Sequence, residues 1–317
     1  MKKILYIRQN MPGGTDNYCK ALYALLKDDS ELRTIPVSDI LSFPSKLFHY
    51  YYGSSVLKSA INQADIVHIN GYTAWGTIQA FRIAKHLNKK IIYSPHWHPF
   101  KYLRHPFLGK VFFHVFMCPM IRKDADAVIT INNEDTAFFR SIHSNVIQIP
   151  HWYTPIDVSQ QITKKKNMVL FVGRTDDPVK GIEHLYQIPK GLYDIHCIGK
   201  GNLERDDFHQ HIGITDEELR RLYSEASVVV IPSKYEAFSY VALEAMNYGT
   251  PVLMSDRVRI ADYLTGVEGY QIFKYGDYKD FVEKIGMLIG SKVDKESIRL
   301  IFAPERVKNI YRNIYLS

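Results

Sequence analysis

Short apolar runs bounded by turn residues alternate along this chain with stretches whose apolar positions recur every three to four residues, and the alternation occurs twice over. The first series of runs comprises Lys3–Ile7, Asp65–Ile69, Lys90–Tyr93, Ala127–Ile131 and Val146–Ile149. A second comprises Met168–Val172, Tyr193–Ile198, Ser227–Ile231 and Pro251–Met254. Strands that alternate with helices in this way predict an α/β chain of two doubly wound, Rossmann-like domains facing each other across a cleft. Between the series, Pro150–Asn167 mixes proline, polar residues and three consecutive lysines, the composition of a linker. Helical spacing is clear over Thr15–Leu26 and Phe302–Leu316. A further helix is predicted from an N-cap at Ser239 to about Tyr248, where Gly249 and Pro251 end it.

At 317 residues and 46% hydrophobic content, the chain is long and apolar enough for two domain cores. Cys19, Cys118 and Cys197 are few, odd in number and far apart, without metal-ligand or disulfide-framework spacing, so a reducing compartment is expected. Met1–Arg8 runs straight into a strand-like pattern, which predicts no signal peptide and a cytoplasmic location. The apolar stretch Val111–Ile121 is too short to span a bilayer and contains His114. A balance of 40 basic to 33 acidic residues favours anionic partners. Nucleotides and membrane surfaces fit; nucleic acid is not expected, because no nucleic-acid-binding signature is present.

Ligands of open α/β sheets gather at the carboxyl ends of the strands, and the residues found there carry the candidate chemistry. After the first run, Gly13-Gly14 allows close backbone approach to a phosphate. Beyond Val172 come Gly173-Arg174 and then Lys180-Gly181; Arg174 and Lys180 suit a diphosphate or, alternatively, are solvated surface charges. Glu236 falls in the loop after Ser227–Ser233 and Glu244 on the following helix, where no cation stands three or four positions away. Either both carboxylates serve a ligand, or Glu236 complements the helix dipole while Glu244 points to solvent. His96 and His98 lie beyond the run Lys90–Tyr93 without a third ligand at a suggestive spacing. His98 reads as structural; His96 reads equally as structural or as a polar contact to substrate. Asp124-Ala125-Asp126 matches a two-aspartate metal pattern but precedes its strand, at the edge where such sheets do not bind ligands. Gly199-Lys200-Gly201 lacks the third glycine of a dinucleotide fingerprint, and no stretch matches a P-loop.

From Phe171 to Asp256 an ordered series stands out: Val172-Gly173-Arg174, Lys180-Gly181, Gly199-Lys200-Gly201, Thr215-Asp216-Glu217-Glu218-Leu219, Leu222-Tyr223 and Ala226. It continues through Pro232-Ser233, Glu236-Ala237-Phe238, Ala242-Leu243-Glu244-Ala245-Met246, Gly249 and Pro251-Val252. With Gly13-Gly14, His96 and Asp126–Thr130 in the first half, the chain resembles the retaining GT-B glycosyltransferases of family 4. That resemblance implies a hexosyltransferase using a nucleotide-diphosphate sugar and a glycan or lipid-linked acceptor, in cell-surface polysaccharide or glycolipid synthesis, with no cofactor and no metal. It implies an acceptor-side domain over 1–155, a nucleotide-sugar-binding domain over 165–300 and a terminal helix, 301–317, crossing back to the first domain. Glu236, Arg174, Lys180 and His96 would be catalytic: Glu236 and His96 at the donor sugar, Arg174 and Lys180 at the departing diphosphate. Gly13, Gly14, Phe238, Ser239, Tyr240 and Glu244 would bind donor, the backbone at Phe238–Tyr240 meeting the diphosphate and Glu244 the ribose hydroxyls. Where the family commonly carries glycine, this chain has Ala237 and Ser239.

Phe100–Lys123 interleaves aromatic and aliphatic residues with Lys101, Arg104, Lys110, Arg122 and Lys123. Such a segment either lies on an anionic membrane or packs its aromatics in the first core. Two alternatives to the transferase share the architecture: a nucleotide-sugar epimerase and a degenerate, non-catalytic GT-B domain.

Overall fold

Among the described residues, two six-stranded sheets, parallel throughout, organise the chain. The structure, a computed structural model, describes residues 1–7, 14–34, 52–71, 74–96, 106–154 and 163–317. These form two compact units, Met1–Pro150 with Pro304–Ser317, and His151–Ala303.

In the first unit the elements run β1 (Lys2–Ile7), α1 (Gly14–Leu26), β2 (Leu32–Thr34), α2 (Tyr52–Gln63), β3 (Ile66–Asn70), α3 (Ala74–His86) and β4 (Lys90–Ser94). They continue with α4 (Pro106–Phe112), a π-helical turn Phe113–Met117, α5 (Cys118–Asp124), β5 (Ala127–Thr130), α6 (Asn133–Arg140) and β6 (Val146–Gln148). The second unit holds β7 (Met168–Val172), β8 (Asp194–Ile198), β9 (Phe208–His211), α7 (Asp216–Glu225), β10 (Val228–Ile231), α8 (Tyr240–Asn247), β11 (Val252–Ser255), β12 (Tyr270–Phe273), α9 (Tyr278–Leu288) and α10 (Lys295–Ile301). The terminal α11 (Pro304–Leu316) belongs to the first unit.

Strand orders are β2-β1-β3-β4-β5-β6 and β12-β11-β10-β7-β8-β9. Each order reverses direction once, between β1 and β3 and between β7 and β10, and doubly wound sheets open a crevice at such a point. The interior strands β3, β5 and β10 are buried end to end because both faces are covered, and the polar residues that β3 carries, His68 and Asn70, are hydrogen-bonded. Among the described residues, the strands that the apolar pattern does not reveal, β2, β9 and β12, all lie at sheet edges. Their sequences, LRT, FHQH and YQIF, admit polar residues because an edge is covered less completely.

Within the expected linker, Pro150 closes the first unit and His151 opens the second. Tyr153 N–H donates to Phe302 O at 3.1 Å and Lys165 N–H to Glu225 O at 2.7 Å, so both flanks are fastened; residues 155–162 lie outside the described ones. Asp126 accepts the Ile91 N–H at 2.7 Å and Asp124 pairs with Lys85 at 3.2 Å, which gives both aspartates structural partners.

Helix α11 buries Val307, Tyr311, Ile314 and Tyr315, spaced as one helical face. Lys2 Nζ donates to Leu316 O at 2.9 Å and Lys90 Nζ to Ile314 O at 2.6 Å, satisfying carbonyls that the last turn leaves open. Beneath the helix, His68 on β3 bonds Tyr315 Oη at 2.7 Å through Nδ1 and Ser94 Oγ at 2.7 Å through Nε2, and the Tyr18 and Tyr311 hydroxyls pair alongside. Full burial holds the His68 imidazole down to about 3, well below its usual 6.5, because burial penalises the charged ring.

The unfolded chain therefore takes up a proton at His68 below about pH 6.5 that the folded unit refuses until about pH 3. Stability contributed by the neutral ring is complete above pH 6.5 and declines as pH falls through that window. In urea unfolding followed from pH 7 to 4, His68→Gln should be less stable at neutral pH. It should also lose less stability per pH unit than the wild type, by up to about 1.4 kcal/mol. Parallel pH profiles would remove His68 as the source.

Candidate active site

The crevice between β7 and β10 gathers the loops that follow these two strands. Gly181, with φ +72°, sits so close to the loop after β10 that an added Cβ would lie 1.9 Å from Pro232 O. Lys234 N–H donates to Val179 O at 2.8 Å and fastens the same two loops. Their closeness delivers Lys180 Nζ to Glu236 Oε1 at 2.7 Å, with the side chains only 30% and 10% exposed. Ser233 Oγ donates to the same carboxylate oxygen at 2.9 Å. Behind it the Glu236 backbone is held on both sides, its N–H donating to Arg257 O at 3.2 Å and its O accepting Arg259 N–H at 2.9 Å.

Arg174 is 67% exposed and held by Asp177 Oδ2 at 2.6 Å, a bond that raises the guanidinium further above its usual value. The Asp177 Oδ1 atom accepts Val179 N–H at 3.0 Å, so one aspartate braces both the arginine and the Lys180 turn. Gly199, at φ +145°, packs on the Gly173 carbonyl, which an added Cβ would meet at 2.1 Å. The Gly199-Lys200-Gly201 turn is thereby laid against Gly173–Thr175, and Thr175 N–H donates to Lys200 O at 2.9 Å.

Helix α8 begins where the sequence places it, capped by Ser239 Oγ accepting Ala242 N–H at 3.4 Å. Its remaining first-turn N–H groups form the positive end of the helix, suited to an anion. Phe238, half-buried before the cap, meets the rings of His151 at 4.9 Å, Tyr240 at 5.6 Å and Phe302 at 5.7 Å. Glu244 is half-buried rather than turned to open solvent, and Tyr223 Oη on α7 donates to its Oε2 at 2.8 Å. Burial raises the Glu244 carboxyl above its usual range, and the Tyr223 bond opposes that shift.

In the first unit, His96 follows β4 with φ +62°, a left-handed conformation uncommon for a residue other than glycine. Its Nε2 lies 2.9 Å from Asn70 Oδ1 at the end of β3, and Asn70 Nδ2 donates to His68 O at 3.0 Å. With the amide so oriented, the proton belongs on His96 Nε2. Tyr18 on α1 presents an edge contact to this imidazole at 4.4 Å. Gly14 opens α1; Gly13 and His98 lie outside the described residues.

Sequence reasoning assigned no role to Asn70, Asp177, Tyr223 or Ser233. Tyr223 and Ser233 stand inside the ordered motif series, the one signal that pointed to them. The nearby His151 had no signal; burial holds it down at about 4, and its ring also approaches Tyr240 at 5.2 Å.

Residues 166–291 match the family described as Glycosyl transferases group 1. This segment is a glycosyl transferases group 1 domain. The chain is 26% identical over 236 residues to an uncharacterized 41.2 kDa protein in the cps region of Klebsiella pneumoniae, a match covering 65% of each chain. It therefore spans just under two thirds of that relative. To the MMP alpha-(1->4)-mannosyltransferase of Mycolicibacterium hassiacum it is 24% identical, over 83% of this chain and 72% of that one. Among solved structures, Anabaena HepE in complex with UDP-glucose superposes with TM-score 0.74 over 99% of both chains at 14% identity. The fold is that of the GT-B glycosyltransferases.

In the group 1 domain the Gly181 contact is separable from backbone strain alone. Gly191 shares its positive φ, +76°, but an added Cβ there would meet nothing within 4 Å. Gly191→Ala should cost only the left-handed penalty of roughly 1–2 kcal/mol. Gly181→Ala should cost about 1–3 kcal/mol more, because the loop must move off Pro232. Equal losses in chemical denaturation would remove that contact as the determinant of the loop.

Proposed function

We propose that this chain is a retaining hexosyltransferase that moves a sugar from a nucleoside-diphosphate donor to a glycan or lipid-linked acceptor in cell-surface polysaccharide or glycolipid synthesis, without a metal. The observation that supports it most is the Lys180–Glu236 pair, held at the β7/β10 switch point beside the N-terminus of α8. A departing nucleoside diphosphate carries negative charge, and Lys180, Arg174 and the first N–H groups of α8 would neutralise it as the glycosidic bond breaks. Glu236, already fixing Lys180, would contact the donor sugar; Glu244 would accept hydrogen bonds from the ribose hydroxyls. Gly13 and Gly14 would meet the donor by backbone approach, and Phe238, Ser239 and Tyr240 would frame the diphosphate. For His96 the proposed role is a donor-sugar contact; its left-handed backbone supports this, since such strain is often retained at functional positions.

Attachment to an anionic membrane surface forms part of the same proposal. Along the helical run from α4, Phe107 is 75% exposed, Val111 44% and Val115 57%, at successive four-residue steps, while Phe113, Met117 and Ile121 are buried on another face. Lys110, Arg122 and Lys123 are exposed on the same run. An apolar stripe flanked by cations suits an interface of acyl chains and acidic headgroups, and it would bring the protein to a lipid-linked acceptor. No helix among the described residues is long and apolar enough to cross a membrane.

Thermal shift with UDP, GDP, ADP and their sugar conjugates, with magnesium and with EDTA, tests the donor. One nucleotide family should stabilise in both conditions, by about 2.7 kcal/mol at a hundred times its dissociation constant. Lys180→Ala and Glu236→Ala should each lower transfer on the order of a hundred-fold or more while leaving the fold intact. Binding without turnover to any acceptor or to water would favour a non-catalytic domain, and donor consumption without acceptor an epimerase.

In flotation with vesicles containing acidic phospholipid, the wild type should rise with the lipid and Phe107→Asp/Val115→Asp should remain below. Equal recovery with and without vesicles would remove membrane attachment.

A further inference from the structure

Strands β8 and β9, at the outer edge of the second sheet, pair in parallel with Ile195 opposite Phe208, His196 opposite His209 and Ile198 opposite His211. Residues two apart on a strand share a face. Ile195, Cys197 and Phe208 pack into the core on one face of the sheet. Asp194, His196, His209 and His211 therefore gather on the opposite face. Asp194 Oδ2 lies 3.1 Å from His196 Nε2 and its Oδ1 lies 3.0 Å from His209 Nε2. His196 Nδ1 lies 2.9 Å from His211 Nε2, with 11° between the two ring planes. One ligand atom each from Asp194, His196 and His209 falls within 4.8 Å of the others.

We propose that Asp194, His196 and His209 form a binding site for a divalent transition-metal ion on the β8–β9 edge, with His211 as the positioning residue behind His196. Two imidazoles and one carboxylate on neighbouring strands are the donor types that such ions prefer, and imidazole in particular suits zinc, nickel, copper and iron. The three atoms already converge, and a zinc ion at about 2.0–2.2 Å from each requires only small side-chain adjustments around it. Binding changes tautomers by proton exchange with solvent and leaves each ring neutral. In the metal-free form, His211 Nε2–H donates to His196 Nδ1, and His196 and His209 donate their Nε2–H groups to Asp194. With metal bound, His196 and His209 give up their Nε2 protons and carry one on Nδ1 instead; His196 Nδ1–H donates to His211 Nε2, whose own proton has moved to Nδ1, and both Nε2 lone pairs face the ion. Ligating histidines commonly have their other ring nitrogen fixed in this way. The His209 side chain is 60% exposed and Asp194 45%, which leaves the ion a path from solvent and open coordination positions.

An ion here would cross-link an edge strand to its neighbour. The consequence reaches toward the donor loops, because Gly199 N–H donates to His211 O at 3.0 Å and Gly199 packs on Gly173. This site stands apart from the transferase proposal and does not depend on it.

The full chain, freed of metal with a chelator, should be titrated with Zn2+ by calorimetry and with Co2+ by visible absorption. Wild type should take up one equivalent of Zn2+ and give a Co2+ ligand-field band that zinc displaces. His209→Gln and Asp194→Asn change exposed side chains and should leave the thermal midpoint in EDTA unchanged while abolishing the one-equivalent step. His211→Gln should retain the step with affinity lowered about 10- to 100-fold, the range typical of losing a partner behind a ligand. A wild type that binds no zinc at tens of micromolar would overturn the site. So would one-equivalent binding that persists unchanged in the Asp194→Asn/His209→Gln double variant.

Discussion

The contact between Gly181 and the Pro232 carbonyl governs the second unit's chemistry. No side chain fits between them, so the loops after β7 and β10 meet at the switch point, and Lys180 has one direction in which to extend. A carboxylate as buried as Glu236 is costly unless it is paired and hydrogen-bonded, and here the ammonium of Lys180 and the hydroxyl of Ser233 meet that requirement. The pair is therefore set before any ligand arrives, which is the condition for electrostatic stabilisation without reorganisation. Arg174 contrasts with it: exposed and tied to Asp177, it keeps freedom to turn toward an anion.

A second constraint acts in the first unit, where buried polar groups hold α11 in place. His68 joins Ser94 on β4 to Tyr315 on α11, while Lys2 and Lys90 close the helix's last carbonyls. Each of these groups would be a penalty if unpartnered, so the network specifies one seating of the helix. The same region supports His96: its partner Asn70 is oriented by the His68 carbonyl, linking the strained residue to the core of the unit.

The sheet edges show how one physical rule hides information in one place and supplies chemistry in another. Because an edge strand is incompletely covered, β9 can carry His209 and His211 without burying unsatisfied groups. That polar character conceals the strand from any search for apolar runs, and it also assembles the Asp194–His196–His209 cluster.

By itself the sequence determined the two doubly wound units, through apolar runs that only fully covered parallel strands tolerate. It also determined α8 nearly to the residue, through Ser239 as cap and Gly249 as stop, because those signals act within one or two turns of chain. The strand-like run Ser227–Ser233 and the Ser239 cap placed Glu236 in a loop and Glu244 on a helix. Only the tertiary structure decided what the two carboxylates touch: Lys180 lies 56 positions from Glu236, and Tyr223 lies 21 from Glu244. It decided too that His96 adopts a left-handed backbone. Local rules fix caps, turns and periodicity, whereas partners brought together by strand order and register have no signature at short range.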